Sequence, residues 1–521
     1  MRRMRAIVSP VVTPVVALAV TVAVALVATA CSGGSETAQP STTRGTSGAS
    51  TPTTGASPGG SDEFPEVPVP VLEWTDCGEN LQCTTMPAPL DYRRPVETAG
   101  GAQISVVRHL ALSSKKRIGS LLVNPGGPGF GGTDLALAAR AVYGSDLLQA
   151  FDIVGFDPRG TGGSLPAVDC ITDYDAYFAV DSDIDTPEGL EAALASAAEF
   201  ESKCETAMGA SLDFITTEDT ARDMDLLRRA LGEETISYLG FSYGSELGAA
   251  WASMFPATVR AAVLDGAVDP NASAMENVVN QARGFEHTLD SFLEYCRDSC
   301  SFPAGGDPGA KFDEIFDAIE KNRYPTVEGR PRLSLTIAYS AVFKALYSTR
   351  DWERLDAALV AAAQGDGRLL LELHDDYFQR RADGTYPNDL EAFTAITCIE
   401  DGGPYTVAEV TEYDDEIIAA APRLYPGFLG SIGCIPWADH ARTPSTVTGT
   451  DAATILVIGT TNDPATPLES TRKMAEALKR SVLLTVDDDG HTAYVRNSCT
   501  RKVVGAYLIK LELPDEGKVC D

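Results

Sequence analysis

The chain has 521 residues and a formal net charge of −33 at pH 7, from 74 Asp and Glu against 41 Lys and Arg. So acidic a chain repels nucleic-acid phosphates and anionic lipid headgroups, which excludes partners held by charge of that sign. Some 44% of the residues are hydrophobic, and about 450 lie beyond a polar leader, enough for more than a bare single-core domain.

In chain order, Met1-Arg2-Arg3-Met4-Arg5 is a basic start, and Ala6 to Ala30 is a nearly uncharged apolar stretch. Residues 1–30 therefore read as an export signal. It closes on Ala28-Thr29-Ala30-Cys31, small residues before a cysteine, as at a site of lipid attachment with cleavage ahead of Cys31. Ala28 stands where such sites usually carry leucine, so plain secretion and an uncleaved anchor are the alternatives. No later segment has ~20 consecutive apolar residues. Residues 31–70 are rich in Ser, Thr, Gly and Pro and cannot bury enough surface to offset their ordering entropy. They are expected to form a disordered tether that lifts the rest of the protein off a membrane.

Setting Cys31 aside leaves ten of the eleven cysteines, an even number that suits disulfides in an oxidising compartment. Their order suggests local pairs: Cys77–Cys83, Cys170–Cys204, Cys296–Cys300, Cys398–Cys434 and Cys499–Cys520. No C-x-x-C and no histidine pair with metal-site spacing occurs in the sequence, so neither metal nor cofactor is expected.

From residue 71 to 270, apolar runs at Ile104–His109, Ile118–Asn124, Phe151–Phe156, Thr235–Gly240 and Ala261–Asp265 alternate with helical stretches. This is the pattern of an α/β fold, a mostly parallel sheet covered by helices on both faces. The second run leads into Pro125-Gly126-Gly127-Pro128-Gly129-Phe130-Gly131-Gly132. Glycines let backbone N–H groups turn toward a tetrahedral oxyanion. Lacking the Walker lysine and the G-x-G-x-x-G spacing, the loop is not read as a phosphate cradle.

Tyr238 to Gly244 reads as a buried strand running into Gly240-Phe241-Ser242-Tyr243-Gly244, with helical composition beyond. A serine on such a turn stands clear of the sheet at a helix N-terminus, where developing negative charge is favoured. Its bland reading is a glycine-rich turn with a capping serine. Ser242 is the candidate nucleophile, and the N–H of Tyr243 would join Gly126 and Gly127 in the oxyanion hole.

Residues 271–450 turn mainly helical, at Met275–Cys296, Ala310–Lys321, Leu335–Tyr347, Trp352–Ala363 and Leu369–Arg380. This insertion reads as a cap over the site, able to exclude water and select substrates. Strands resume in residues 451–521, at Thr454–Gly459 and Ser481–Val486. Asp463 follows the first on a loop; its bland reading is an Asx turn before Pro464. His491 follows the second, in Asp489-Gly490-His491. A serine needs an imidazole to take its proton, and the imidazole a carboxylate to fix its tautomer. Asp487, Asp488 and Asp489 are sequence neighbours of His491, but such neighbours rarely face the ring. His109, His287 and His374 suit structural or surface roles, and His440 is the rival base.

Taken together, Asn124 to Gly129, Gly155-Phe156-Asp157-Pro158-Arg159-Gly160, Gly240 to Ser245, Leu264-Asp265-Gly266-Ala267-Val268-Asp269-Pro270, Asp463 to Pro467 and Gly490-His491-Thr492 resemble the proline-iminopeptidase-like branch of the α/β-hydrolases. More closely, they resemble the secreted tripeptidyl-aminopeptidase-type serine peptidases of actinobacteria, a group that includes cell-envelope lipoprotein proteases. The resemblance implies an α/β-hydrolase fold with the cap inserted before the last strands, and Ser242, Asp463 and His491 as the triad. Asn124-Pro125 replaces the His with which iminopeptidases usually open the oxyanion motif, which favours the tripeptidyl branch. The implied substrate is a peptide or protein with a free N-terminus, and the implied location is the cell envelope, by a lipid at Cys31 or by secretion. An ammonium calls for a carboxylate, and Cys398-Ile399-Glu400-Asp401 resembles the cysteine-then-acid element of the family's cap. Glu400 and Asp401 are therefore the candidates to bind the N-terminus, with Tyr243 and Trp437 as pocket residues. The rival functions are an esterase or lipase with the same triad and a silent binding protein on the same scaffold.

Overall fold

The computed structural model describes residues 64–180, 186–400, 403, 406–443 and 446–521, apart from the side chains of 429–431. The export segment, Cys31, most of the tether and Asp401 lie outside the described residues. Within them, ten strands form one sheet: β1 (Thr75–Gly78), β2 (Leu81–Pro89), β3 (Gly101–His109), β4 (Gly119–Asn124), β5 (Phe151–Phe156), β6 (Ile236–Phe241), β7 (Val259–Asp265), β8 (Ile455–Asn462), β9 (Ser481–Asp489) and β10 (Val519–Cys520). Their spatial order is β1-β2-β3-β5-β4-β6-β7-β8-β9-β10. Pairing is antiparallel from β1 to β5 and parallel from β5 to β10.

Every residue of β4, β5 and β6 is buried, as continuous apolar strands between two helical layers must be. The side chains alternate between two cores. Leu122, Val154, Phe156 and Tyr238 face one, while Leu121, Val123, Ile153 and Leu239 face the other. Sequence periodicity missed β1 and β2 at the polar edge and the two-residue β10. β1 is exposed throughout, so it carries no alternation to read.

Parallel register brings the ends of the functional strands to one edge. Asn124 on β4 pairs with Gly240 on β6, Phe241 with Asp265 on β7, Asp265 with Ile458 on β8, and Asn462 with Asp489 on β9. All four loops that carry candidate residues leave from this edge, where open parallel sheets place their sites.

Between β7 and β8 the chain is helical: Ala274–Ser299, Pro308–Asn322, Leu335–Leu346, Trp352–Ala362, Arg368–Tyr377, Asp389–Glu400, Val407–Thr411, Asp414–Ala420 and the 3₁₀ stretch Tyr425–His440. The Ala274–Ser299 helix opens with a capping box between Ser273 and Glu276. The ten cysteines form the five expected local bridges, Cys77–Cys83, Cys170–Cys204, Cys296–Cys300, Cys398–Cys434 and Cys499–Cys520. Among the described residues, no helix is long and apolar enough to cross a membrane.

These helices press on the Asp463 and His491 loops and on the loops after β5. Gly284 lies so near the Asp463 loop that a Cβ there would stand 2.4 Å from Pro464 O, an overlap only glycine avoids. The carbonyl of Tyr347 accepts the His491 amide at 3.0 Å, and the Tyr347 ring meets the imidazole edge-on at 5.3 Å between centroids. At the helix Asp389–Glu400, Asn388 and Glu391 bond the loops after β5, through Gly162 N, Gly160 O, Cys170 N and Ile171 N.

Candidate functional site

Ser242 sits at φ 55°, ψ −126°, a region that costs a non-glycine residue of order 1–3 kcal/mol and that needs surrounding structure to hold it. That structure is present. Its amide donates to Asp265 O at 2.9 Å, and its carbonyl accepts the Ser245 amide at 2.7 Å, starting the Tyr243–Met254 helix. The side chain is partly exposed at the helix N-terminus, while Tyr243 and Gly244 are buried.

The glycine loop after β4 lies against this turn. Gly126 has φ 99°, and a Cβ on it would stand 2.4 Å from Phe241 O and 2.9 Å from Ser242 Cβ. Only glycine allows so close an approach of backbone to the serine. Of the three amides expected here, that of Gly126 is spent on Asn124 Oδ1 at 2.9 Å. Those of Gly127 and Tyr243 have no acceptor among the described residues.

Asp463 is 2% exposed, and its carboxylate is fully organised. Oδ1 accepts the amides of Ala465 and Thr466 at 3.0 and 2.8 Å, and Oδ2 that of Thr492 at 3.1 Å. His491 Nδ1 lies 2.8 Å from Oδ1 and 3.0 Å from Oδ2. An ionised carboxylate only accepts, so Nδ1 carries the proton and Nε2 is left with a free lone pair. Thr466 Oγ1 stands 3.3 Å from the same Nδ1. The ring also borders the serine turn, because a Cβ at Gly266, next to the Ser242-bonded Asp265, would be 3.3 Å from His491 Cε1.

The other acids and histidines lie elsewhere. Asp487 accepts from Thr461, Asp488 pairs with Arg496, and Asp489 accepts from Asn462. His440 pairs with Asp213 and Glu201. His374 is enclosed against Phe178 and Ser340, where burial pushes its pKa down to about 3, so it stays neutral.

The substrate-side expectations fare differently. Trp437 is 0% exposed, packed against Phe200 of the Pro187–Met208 helix and His440, so it belongs to a buried core rather than to an open pocket. Tyr243 is buried too, with its hydroxyl 2.5 Å from Thr217 Oγ1. Glu400 accepts from Thr217 N at 2.6 Å and from its hydroxyl at 2.5 Å. It thus seats the cap on the N-terminus of the Thr217–Ala230 helix, where a carboxylate answers unpaired N–H groups, one hydroxyl away from Tyr243. Sequence reasoning missed Asp265, Thr217 and Tyr347. Asp265 ends a buried strand at the functional edge, the one signal that could have found it.

A profile of the alpha/beta hydrolase fold family matches residues 119–498. The chain belongs to the α/β-hydrolase family. It is 34% identical over 477 residues to the "Serine protease Hip1" of Mycobacterium tuberculosis, covering 86% of this chain and 91% of that one. It is 36% identical over 486 residues to "Carboxylesterase B" of the same species, covering 88% and 92%. With the "Tripeptidyl aminopeptidase" of Streptomyces lividans it shares 27% over 464 residues, 84% of each chain.

Proposed function

We propose that this α/β-hydrolase is an exported serine exopeptidase that cleaves peptide bonds near free N-termini, with Ser242, His491 and Asp463 as its triad. The observation that carries the reading is the Asp463–His491 pair, with Nδ1 bound and Nε2 free, on the same sheet edge as the strained Ser242. Ser242 Oγ attacks the scissile carbonyl while His491 Nε2 takes its proton. The oxyanion that forms is stabilised by the Gly127 and Tyr243 amides, which have no other acceptor among the described residues. Collapse expels the amine, protonated by His491, and leaves an acyl-serine. Water, deprotonated by His491, then releases the acid and restores the serine.

The peptidase reading draws on the relatives named as a serine protease and a tripeptidyl aminopeptidase. Glu400, bonded to Thr217, which in turn meets the Tyr243 hydroxyl, is a described carboxylate suited by charge and place to receive a substrate ammonium. Residues 1–30 and Cys31 fit an exported protein held to the membrane by lipid. The relative named Carboxylesterase B supports a second reading, an esterase with the same triad.

Free tripeptide anilides, their N-acetyl versions and short acyl esters separate the two. An exopeptidase cleaves the free anilides roughly a hundredfold or more better than the blocked ones, because blocking removes the substrate charge that a carboxylate at the site would attract. Equal rates on both, with fast ester turnover, would favour the esterase.

A further inference from the structure

Asp265 is 0% exposed, and three loops of the site meet on it. Its carbonyl holds the Ser242 amide at 2.9 Å. Its carboxylate accepts the Ala493 amide at 2.9 and 3.1 Å and the Tyr494 amide at 2.7 Å, two and three residues beyond His491. The amide that follows, on Gly266, donates to Ile458 O at 2.9 Å, on the strand that leads to Asp463. The proton transfers written above make no use of this carboxylate, although burying one is costly.

We propose that Asp265 is a positioning residue, whose ionised carboxylate fixes the turn after His491 while its main chain fixes Ser242, so that base and nucleophile keep one alignment. The proposal rests on the triad reading. Two amides aimed at one carboxylate require acceptors on both oxygens. Protonation turns one oxygen into a donor facing an N–H, and the turn is released. Burial pushes the Asp265 carboxyl up to about 6, against the pull of the Tyr494 and Ala493 amides. The titratable groups that act on it are His491, from the base loop, which lowers it, and Asp463, from the acid loop, which raises it.

The sign matters. A carboxyl whose folded pKa lies above its unfolded value takes up its proton first in the folded state. As pH falls through about 6, protonation of Asp265 therefore favours the fold while releasing the loop. Activity is lost before structure.

The test uses the full chain, a fluorophosphonate probe for Ser242, and kcat and KM on a free tripeptide anilide, each measured against pH. In wild type, log labelling rate below pH about 6 should fall with a slope approaching 2, Asp265 contributing one of the two protons. Asp265→Asn presents an N–H where an acceptor is needed. It should lower kcat about 10- to 100-fold with KM little changed, as a misplaced base does, and return the slope to about 1. Wild-type rates and a two-proton slope in Asp265→Asn would overturn the proposal. If that variant does not fold, the wild-type slope decides: a one-proton limb overturns it and a two-proton limb supports it. Failure of the probe to label Ser242 in wild type would remove the triad reading, and the positioning role with it.

Discussion

Two buried pairs of carboxylate and cationic-type side chain lie on this sheet, and they differ in what they leave open. Arg159 and Asp223 are 2% and 1% exposed. Asp223 receives the Arg159 guanidinium through both oxygens, at 2.8 and 2.7 Å, and the Tyr92 hydroxyl at 2.7 Å. The remaining guanidinium donors reach Leu90 O, Phe214 O and Pro89 O. All five N–H groups of the arginine are thereby used. At Asp463 and His491 the carboxylate is as fully engaged, yet the far ring nitrogen is free and the ring is partly exposed. The closed pair ties β2, the loop after β5 and the Thr217–Ala230 helix together. The open pair has a valence left for chemistry, and that unused valence, more than burial or charge, marks the site.

Breaking the open side should abolish chemistry and spare the fold. Ser242→Ala is expected to lose on the order of 10⁴-fold or more in kcat, and Asp463→Asn nearly as much because His491 then adopts the wrong tautomer. Ser242→Ala should unfold thermally within a few degrees of wild type, and Asp463→Asn should remain folded at the assay temperature although one of its amide-accepting oxygens is lost. If Asp463→Asn kept its turnover, or Asp489→Asn lost it, the acid would have to be reassigned.

Opening the closed pair should do the reverse. Arg159→Met leaves Asp223 buried without its cation, at a cost of about 3–5 kcal/mol. Chemical denaturation should show that loss, while kcat per folded molecule stays at the wild-type value. A selective fall in kcat with stability intact would mean that this pair, too, serves the reaction.

The smallest expected effect lies at the cap. Burial, with Asp134 and Asp157 nearby, raises the Asp389 carboxyl to about 7. Its charged form is therefore disfavoured in the folded protein, and stability gained by protonation appears as pH falls through about 7. Asp389→Asn should be more stable than wild type at pH 8, on the order of 1 kcal/mol after solvent screening, with the difference clearly smaller at pH 5 and gone only below the unfolded carboxyl value of about 4. Parallel melting curves at the two pH values would show no convergence if Asp389 were already unstrained.

Residues 119–265 and 454–491 were the legible part of the molecule, because their strands are continuous apolar runs ending in glycine or polar turns. Asp463 and His491 could be paired on paper for the same reason, since each follows such a run. Asp265 shows no role in the sequence, because the amides it holds are 228 and 229 residues away. Glu400 was singled out by its place after Cys398, but its bond to Thr217 spans 183 residues and no local pattern announces it. Trp437 was misjudged because an aromatic beside a polar loop looks the same on paper whether it lines a pocket or fills a core. Contacts local in sequence could be read; those made by the folding of the cap onto the sheet could not.

The bond from the Tyr347 carbonyl to the His491 amide constrains how this protein can be recombined with its relatives. Both partners are main-chain atoms, so almost any side chain at 347 would preserve the bond. What cannot vary freely is chain length. A cap transplanted from a homologue would tolerate a different sequence at this joint but not one residue more or fewer between the Leu335–Leu346 helix and Trp352, which starts the next. Exchange of caps should therefore succeed or fail by the count of residues at that junction.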